Sequence, residues 1–196
     1  YAPLPGQEAH RMMSPIPVDK RRFDAVLPAN HRKSGVLLLF YPEKNGIYFP
    51  LIKRPEYLGV HSGQVALPGG KMELEDSTII QTALREAEEE VGVQRKDVRV
   101  LGQLTNLYIP TSNFLVTPVI GFLEKRPEFV PEAKEVSRII QTELPILLNP
   151  KIRKQTILDL GNHGKLNTPY FEIDGEIVWG ATAMILSELI QLLDRD

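Results

Sequence analysis

The chain has 196 residues, of which 42% are hydrophobic and 24% charged, a balance typical of one globular domain with a sizeable core. Its formal net charge of −2 gives no electrostatic support for binding nucleic acid or an anionic membrane. The absence of cysteine excludes disulfides, thiolate nucleophiles and cysteine-ligated zinc. We find no apolar run of membrane-spanning length and no signal-peptide pattern, and we therefore expect a cytoplasmic protein without a membrane partner.

The first part of the chain predicts an extension followed by two paired strands. Residues 1–34 are rich in proline and charge, and we interpret them as an N-terminal extension to a domain spanning residues 35–196. The apolar run at 35–41 is typical of a buried strand. After a turn signal at Asn45-Gly46, residues 47–54 are predicted to return as its partner.

A glycine-rich turn then leads into an amphipathic helix predicted over residues 77–91. Thr78 followed by Gln81 is typical of a helix start, and Gly92 is a typical stop. Apolar side chains recur at the spacing of one buried stripe, which predicts that the helix packs on a core. The stripe consists of Ile80, Ala83, Leu84, Ala87 and Val91.

The second half of the chain predicts further strands and a final helix. We expect strands at 98–109 and 114–124, and a mixture of strand and helix at 134–149. A hairpin turning at Asp174-Gly175 precedes a strongly amphipathic helix predicted over 181–193. Strands flanked by a few helices, without strict alternation, predict an α/β fold with α/β/α layers and a mixed sheet.

The most informative residues are three glutamates on the helix at 77–91. Glu86, Glu89 and Glu90 stand at offsets of three and four, which place their carboxylates on one face. Like charges this close destabilise a helix unless a positive charge lies among them. A hard divalent cation such as Mg²⁺ or Mn²⁺ would neutralise them, and it would in turn attract a phosphate. The alternative is an ordinary solvated acidic face, and the helix alone does not decide between the two.

The residues around this helix favour a phosphate site. Gly69 and Gly70 allow the backbone to turn sharply and approach a ligand closely, and a carbonyl there could join the carboxylates around a cation. Arg54 and Lys71 are each either a phosphate-binding group or a surface charge. His61, in the loop before the turn, is either a substrate contact or a polar surface residue.

The stretch from Leu67 to Val93 resembles the Nudix box, whose pattern is G-x5-E-x7-R-E-U-x-E-E-x-G-U with U a bulky apolar residue. In the first half, Asp76 stands where Glu is expected, and eight residues separate it from Arg85. The resemblance implies a metal-dependent diphosphatase with a Nudix-type α/β/α sandwich. The second half of the box is matched by Arg85, Glu86, Glu89, Glu90, Gly92 and Val93, with Ala87 at a U position.

The resemblance also implies roles for individual residues. Glu86 and Glu90 would be the persistent metal ligands with Glu89 beside them, and Arg85 would orient a glutamate by ion pairing. A cation held there would activate water for in-line attack on one phosphorus. The catalytic group would comprise Arg85, Glu89 and Glu90, and the base would be Glu89 or a carboxylate from a later loop. Substrate-binding residues would be Arg54, Gly69, Gly70 and Lys71.

A longer box with Asp in that position resembles the coenzyme A pyrophosphatase branch. This branch has a second signature upstream, close to L-L-T-x-R-[SA]-x3-R-x3-G-x3-[FL]-P-G-G. Leu51, Arg54, Gly63 and the segment 67–70 fall in register with it, whereas Gly59 replaces its second arginine. The branch implies coenzyme A or its derivatives as substrates, cleaved to 3′,5′-ADP and 4′-phosphopantetheine. Family analogy also makes a homodimer possible.

Two other functions stay open. A Nudix enzyme acting on ADP-ribose or a dinucleotide polyphosphate is the nearer alternative, because Gly59 lacks the arginine of the coenzyme A signature. A catalytically silent Nudix-fold binding module is the more distant one. Retention of Glu86, Glu89 and Glu90 argues against it, because a silent module does not need crowded carboxylates.

Overall fold

The computed structural model describes residues 3–24, 26–44, 46–56, 62–159 and 164–194. Its helices are α1 (Gln7–Met12), α2 (Ile79–Val91) and α3 (Gly180–Leu193). Its strands are β1 (Arg32–Glu43), β2 (Gly46–Lys53), β3 (Val65–Ala66), β4 (Gly69–Lys71), β5 (Arg99–Gln103), β6 (Leu107–Ile109), β7 (Phe114–Phe122), β8 (Arg138–Glu143), β9 (Arg153–Asp159), β10 (Lys165–Ile173) and β11 (Glu176–Val178). Short 3₁₀ turns lie at Lys20–Phe23, Arg95–Asp97, Leu144–Leu148 and Pro150–Ile152.

The larger sheet contains both parallel and antiparallel pairs. Its order is β3-β2-β1-β7-β5, and β4, β6 and β8 pair with β1, β7 and β2 respectively. β1 and β7 are parallel, with Arg32 opposite Phe114 and Phe40 opposite Phe122, whereas β1 and β2 are antiparallel. A parallel pair needs a crossover connection, and α2 lies in the segment that joins these two strands. The predicted mixed sheet is therefore confirmed.

β1 separates two halves of the core. Leu37, Leu39 and Tyr41 pack in one cluster with the apolar stripe of α2, whereas Leu38 and Phe40 pack in another with α3. This division follows from the alternation of side chains along a strand. The predicted α/β/α sandwich is confirmed, and β1 is longer at both ends than the predicted strand.

The final helix, α3, is more deeply buried than the strongly amphipathic helix that the sequence predicts. Residues 182–189 are all buried, because α3 packs against the sheet and is also covered by α1. Helix α1 belongs to the predicted extension at 1–34, and the boundary at residue 35 stays a prediction. None of the described helices has the length and hydrophobicity that crossing a membrane requires.

The second half of the chain departs from the predicted strands in two places. The single strand expected at 98–109 is divided into β5 and β6, which are separated by residues 104–106. Within β5, a bulge between Val100 and Gly102 shifts the register against β7. Strand β9 was not predicted, and it forms a second, antiparallel sheet with β10 and β11. The predicted hairpin is confirmed, with Asp174 and Gly175 at φ 52° and 76°.

The buried carboxylate of Glu188, on α3, forms hydrogen bonds that connect α3 to α1. Glu188 accepts hydrogen bonds from His10 Nε2 at 2.9 Å, from Gly6 N at 3.1 Å and from the Thr105 hydroxyl at 2.6 Å. Burial alone would raise the pKa of Glu188, but the hydrogen bonds from His10 and Thr105 outweigh burial and lower it. The carboxylate is thus satisfied by partners from two distant segments, one at α1 and one at Thr105.

Replacement of Glu188 by Ala is expected to lower the free energy of unfolding by about 3–5 kcal/mol, since it leaves the donors of the buried His10 and the partly buried Thr105 without an acceptor. Urea denaturation at neutral pH measures the loss. Glu188→Gln, which keeps one acceptor oxygen, should fall between wild type and Glu188→Ala. A loss below about 1 kcal/mol for the alanine variant would show that the cluster contributes little.

Candidate active site

Helix α2 is a rigid support for the glutamates that the sequence singles out. Thr78 caps its first turn by accepting a hydrogen bond from Gln81 N at 3.2 Å. Gly92 ends it in the left-handed conformation, at φ 75°. Ala83, Ala87 and Val91 are buried against β1, as predicted. Three glutamates are therefore carried by an element that is fixed at both ends and along one face.

Gly69 and Gly70, predicted to form a turn, belong to the short strand β4, which lies directly against this helix. We keep the name glycine turn for these two residues. β4 pairs with β1, with Gly69 opposite Val36 and Gly70 opposite Gly35. A Cβ atom on Gly69, which has φ 151°, would lie 2.4 Å from Gly35 O, so the turn requires glycine. A Cβ atom on Gly70 would lie 2.4 Å from Glu86 Cδ. The backbone of the turn therefore touches a glutamate carboxylate directly.

Glu90 is the most buried of the three glutamates. Its side chain is 2% exposed, and its Oε2 accepts a hydrogen bond from Gly69 N at 2.8 Å. Arg54 Nη2 lies 4.0 Å from the other oxygen. Burial raises the pKa of Glu90 to about 7, although the Gly69 hydrogen bond and Arg54 act in the opposite direction. A strongly perturbed carboxyl group held by a backbone turn is typical of a functional site.

Arg85 links the other two glutamates to a fourth acid. Its guanidinium lies 3.0 Å from Glu86 Oε1 and 2.9 Å from Glu89 Oε2, and it donates to Asp76 Oδ2 at 2.9 Å. It also donates to the carbonyl of Lys71 at 3.1 Å. The Arg85 side chain is 16% exposed, whereas that of Glu89 is 59% exposed. Arg85 thus connects the glycine turn, the helix and the segment that precedes the helix.

Asp76 is a structural partner that the sequence did not assign. It is buried and accepts hydrogen bonds from Arg85, from the Thr82 hydroxyl at 3.0 Å and from Glu73 N at 3.0 Å. The Arg85 hydrogen bond, strongest among several, lowers the pKa of Asp76 to about 2 despite burial. Its place as the first acid of the box was the available signal, but spacing alone could not show that it binds Arg85.

Asp76 makes the stability of the protein sensitive to acid. Because its folded pKa is about 2 and its ordinary value is 3.8, its contribution is complete above about pH 4 and is lost as the pH falls towards 2. We expect Asp76→Asn to lower the free energy of unfolding by about 2 kcal/mol at neutral pH. Below about pH 4, the stability of this variant should fall less steeply with pH than that of the wild type. Urea midpoints between pH 2 and pH 7 test this. Parallel profiles for the two proteins would contradict it.

The remaining predicted residues are distributed unevenly around the site. Arg54 approaches Glu90, whereas the Lys71 amine lies 3.2 Å from Glu73 and is half exposed. Their assignment to substrate phosphates therefore stays a prediction. Gly59 and His61 lie outside the described residues.

The donor set suits a hard divalent cation. In the described part of the chain, no three acidic or histidine side chains converge on one point, since Arg85 holds Glu86 and Glu89 while Glu90 faces Gly69. Burial is the main cause that raises the pKa values of Glu86 and Glu90, and each glutamate also faces other carboxylates. A cation with oxygen ligands relieves both effects, so these residues fit such an ion.

Comparison with known proteins identifies the family. The NUDIX domain model matches residues 31–140, which are more than half of the chain and include α2, the glycine turn and Arg54. The chain therefore belongs to the Nudix family, and it is a Nudix hydrolase. Members of this family hydrolyse small nucleotide derivatives and use divalent cations such as Mg²⁺ or Mn²⁺.

Named relatives and solved structures agree with this assignment. The chain is 38% identical to the uncharacterized Nudix hydrolase NudL of Yersinia enterocolitica over 142 residues, covering 72% of this chain and 71% of the relative. It is 36% identical to the protein of that name from Photorhabdus laumondii, covering 84% and 87%. Among solved structures, a MutT/nudix family protein from Enterococcus faecalis has a TM-score of 0.56 at 13% identity, covering 87% of this chain and 65% of that one. The MutT protein from Methanosarcina mazei Go1 has a TM-score of 0.54 at 17% identity, covering 87% and 100%. These two structures show the shared fold.

Proposed function

We propose that this Nudix hydrolase cleaves the diphosphate of coenzyme A or its derivatives, giving 3′,5′-ADP and 4′-phosphopantetheine. The observation that carries the reaction is the contact of Gly69 and Gly70 with two glutamates, the partly buried Glu86 and the buried Glu90. Two carboxylates with raised pKa values, at least partly buried beside a glycine backbone, suit a cation–phosphate site better than a solvated acidic surface.

Glu86 and Glu90 would hold the divalent cation, with Glu89 beside them. When bound, Mg²⁺ or Mn²⁺ supplies positive charge that neutralises diphosphate oxygens and activates water. Arg85 keeps Glu86 and Glu89 oriented through contacts of 3.0 and 2.9 Å, a role that removal of its charge would disrupt. Glu89, the most exposed of the three, is one candidate to accept a proton from the attacking water.

Two cations extend the site towards a bound diphosphate. Arg54 lies beside Glu90 at the end of β2, and Lys71 ends β4 next to the Arg85 guanidinium. Arg54 is near Glu90, and the carbonyl of Lys71 contacts Arg85, so both residues are close to the carboxylates of α2. We assign both to phosphate oxygens, whose negative charge increases on the leaving group during hydrolysis.

Coenzyme A is favoured as substrate by the sequence around the turn. The longer box with Asp76, together with Arg54, Gly63 and the Leu67–Gly70 segment, follows the coenzyme A signature. In the structure, Asp76 accepts hydrogen bonds from Arg85, which also contacts Glu86 and Glu89, so the longer spacing is compatible with the proposed site. ADP-ribose and dinucleotide polyphosphates are the second candidates, because Gly59 lacks the arginine of that signature.

A substrate panel tests the assignment. Purified protein is incubated with Mg²⁺ or Mn²⁺ and with coenzyme A, ADP-ribose, NADH or diadenosine polyphosphates. The products are separated by chromatography and identified by mass spectrometry. We expect coenzyme A to have the highest kcat/KM and to yield 3′,5′-ADP. A higher value for another diphosphate would replace coenzyme A as the substrate, and no hydrolysis of any of them would refute the proposed reaction.

A further inference from the structure

We propose that the outer edge of strand β9 pairs with β9 of a second copy of this chain, which makes the protein a two-fold symmetric dimer. β9 is the last strand of the smaller sheet, whose order is β11-β10-β9. Among the described residues, β10 is the only strand that pairs with it. The inference concerns neither α2 nor a cation, and it does not depend on the proposed function.

The hairpin of β9 and β10 extends beyond the third strand of its sheet. β9 pairs with β10 from Lys165 to Phe171, whereas β11 pairs with β10 only from Phe171 to Ile173. In the described part of the chain, most of β10 therefore has one strand beside it, apart from an isolated bridge between Ile16 and Asn167. A two-stranded ribbon is at best marginally stable in water, and additional strands stabilise it. A second copy of the hairpin would supply them.

The side chains of β9 leave its edge accessible to a partner. Five of the seven side chains are exposed, and the apolar Ile157 is 66% exposed. The edge of a sheet presents backbone N–H and C=O groups that can pair with another chain. Charged side chains protect such an edge when they repel the incoming strand. The positions of the charges on β9 therefore decide which strand it can accept.

The charges of β9 favour an antiparallel copy of the same strand. Arg153 and Lys154 lie at one end of β9 and Asp159 lies at the other, and all three are exposed. A parallel copy would place like charges side by side. An antiparallel copy places Arg153 opposite Asp159 of the second copy, and such a pair stabilises a sheet. The two-fold axis repeats this contact, so one pairing forms two ion pairs.

The same register suits the uncharged side chains of β9. When Arg153 lies opposite Asp159, Thr156 lies opposite Thr156 of the second copy and Ile157 lies opposite Gln155. The two Ile157 side chains are then diagonal neighbours on one face, where each covers apolar surface of the other. Directly opposed threonines also stabilise paired strands. The pairing thus joins the two smaller sheets into one continuous sheet and covers the most exposed apolar side chain of β9.

Sedimentation equilibrium of the full chain tests the pairing, and we expect a reversible equilibrium between monomer and dimer. Arg153→Glu and Asp159→Arg each place like charges opposite each other at both ends of the paired strands. Each variant should raise the dissociation constant of the dimer by at least about tenfold. Lys125→Glu is the control, because it changes an exposed charge outside the smaller sheet, and it should stay within about twofold of the wild type. Circular dichroism checks that each variant is folded.

An equimolar mixture of the two charge variants distinguishes this register from any other interface. One variant has acids at both positions and the other has arginines, so antiparallel pairing between them restores both ion pairs. A dissociation constant for the mixture close to that of the wild type supports the proposal. A wild type that stays monomeric, which would leave the edge to solvent or to a different protein, overturns it. Wild-type dimers that neither variant weakens, or variants that stay monomeric when mixed, overturn it as well.

Discussion

Glu90→Gln is expected to reduce hydrolysis by well over a hundredfold while leaving the protein folded. Mutation of a residue that only supports a metal ligand typically lowers metal affinity or activity by about 10–100-fold, and we expect loss of a ligand itself to lower activity further. The glutamine oxygen can still accept the hydrogen bond from Gly69 N, which keeps the turn in place. Burial of the Glu90 charge opposes folding, so the neutral amide should unfold at the same temperature or a higher one.

The measurement is kcat/KM on the best substrate of the panel, together with the thermal unfolding temperature. Glu88→Gln is the matched control, because Glu88 lies on the same helix but pairs with Arg95, away from the glycine turn. The control should stay within about twofold of the wild type in activity. Comparable turnover by Glu90→Gln and wild type would refute the assignment of Glu90 to the cation.

Gly70→Ala is expected to have the second-largest effect, because the added methyl group has no space. Its Cβ atom would lie 2.4 Å from Glu86 Cδ and within 2.6 Å of both carboxylate oxygens. Either the carboxylate or the turn must move, at a typical cost of about 1–3 kcal/mol. We expect hydrolysis to fall by more than about tenfold, since a shift of 1 Å in a reacting group costs about a hundredfold.

Gly102→Ala provides the control for Gly70→Ala. A Cβ atom on Gly102, in β5, meets no atom within 4 Å, so the same chemical change there is accommodated without displacement. Activity and the urea midpoint are compared for both variants. A fully active Gly70→Ala would mean that the position of Glu86 against the turn is irrelevant to the reaction.

Local patterns predicted most of the scaffold of the site. The stripe of α2, its start at Thr78 and its stop at Gly92 depend on residues close in sequence, and all three are confirmed. The hydrophobic run at 35–41 likewise predicts β1, because a buried strand needs little information from distant residues. The resemblance to the Nudix box then identified the family, which composition and periodicity could not do.

Contacts between distant segments could not be predicted in this way. The burial of α3 on more than one side depends on α1, which lies more than a hundred residues earlier in the sequence. The path of residues 130–137 depends on backbone hydrogen bonds from Val130 to Val91 and from Ser137 to Lys53, which the sequence of this segment does not encode. Asp76 is close to Arg85 in sequence, but spacing alone does not show that the residues before α2 bring the two side chains into contact.

The contacts of Glu188 determine when the N-terminal segment can fold during synthesis. Glu188 binds Gly6, His10 and Thr105, so the acceptor that these early segments require is translated long after them. Until α3 has left the ribosome, α1 lacks the helix on which it packs. We therefore expect the N-terminal segment to gain protection from proteolysis only when translation passes α3, even though α2 and β1 can meet much earlier.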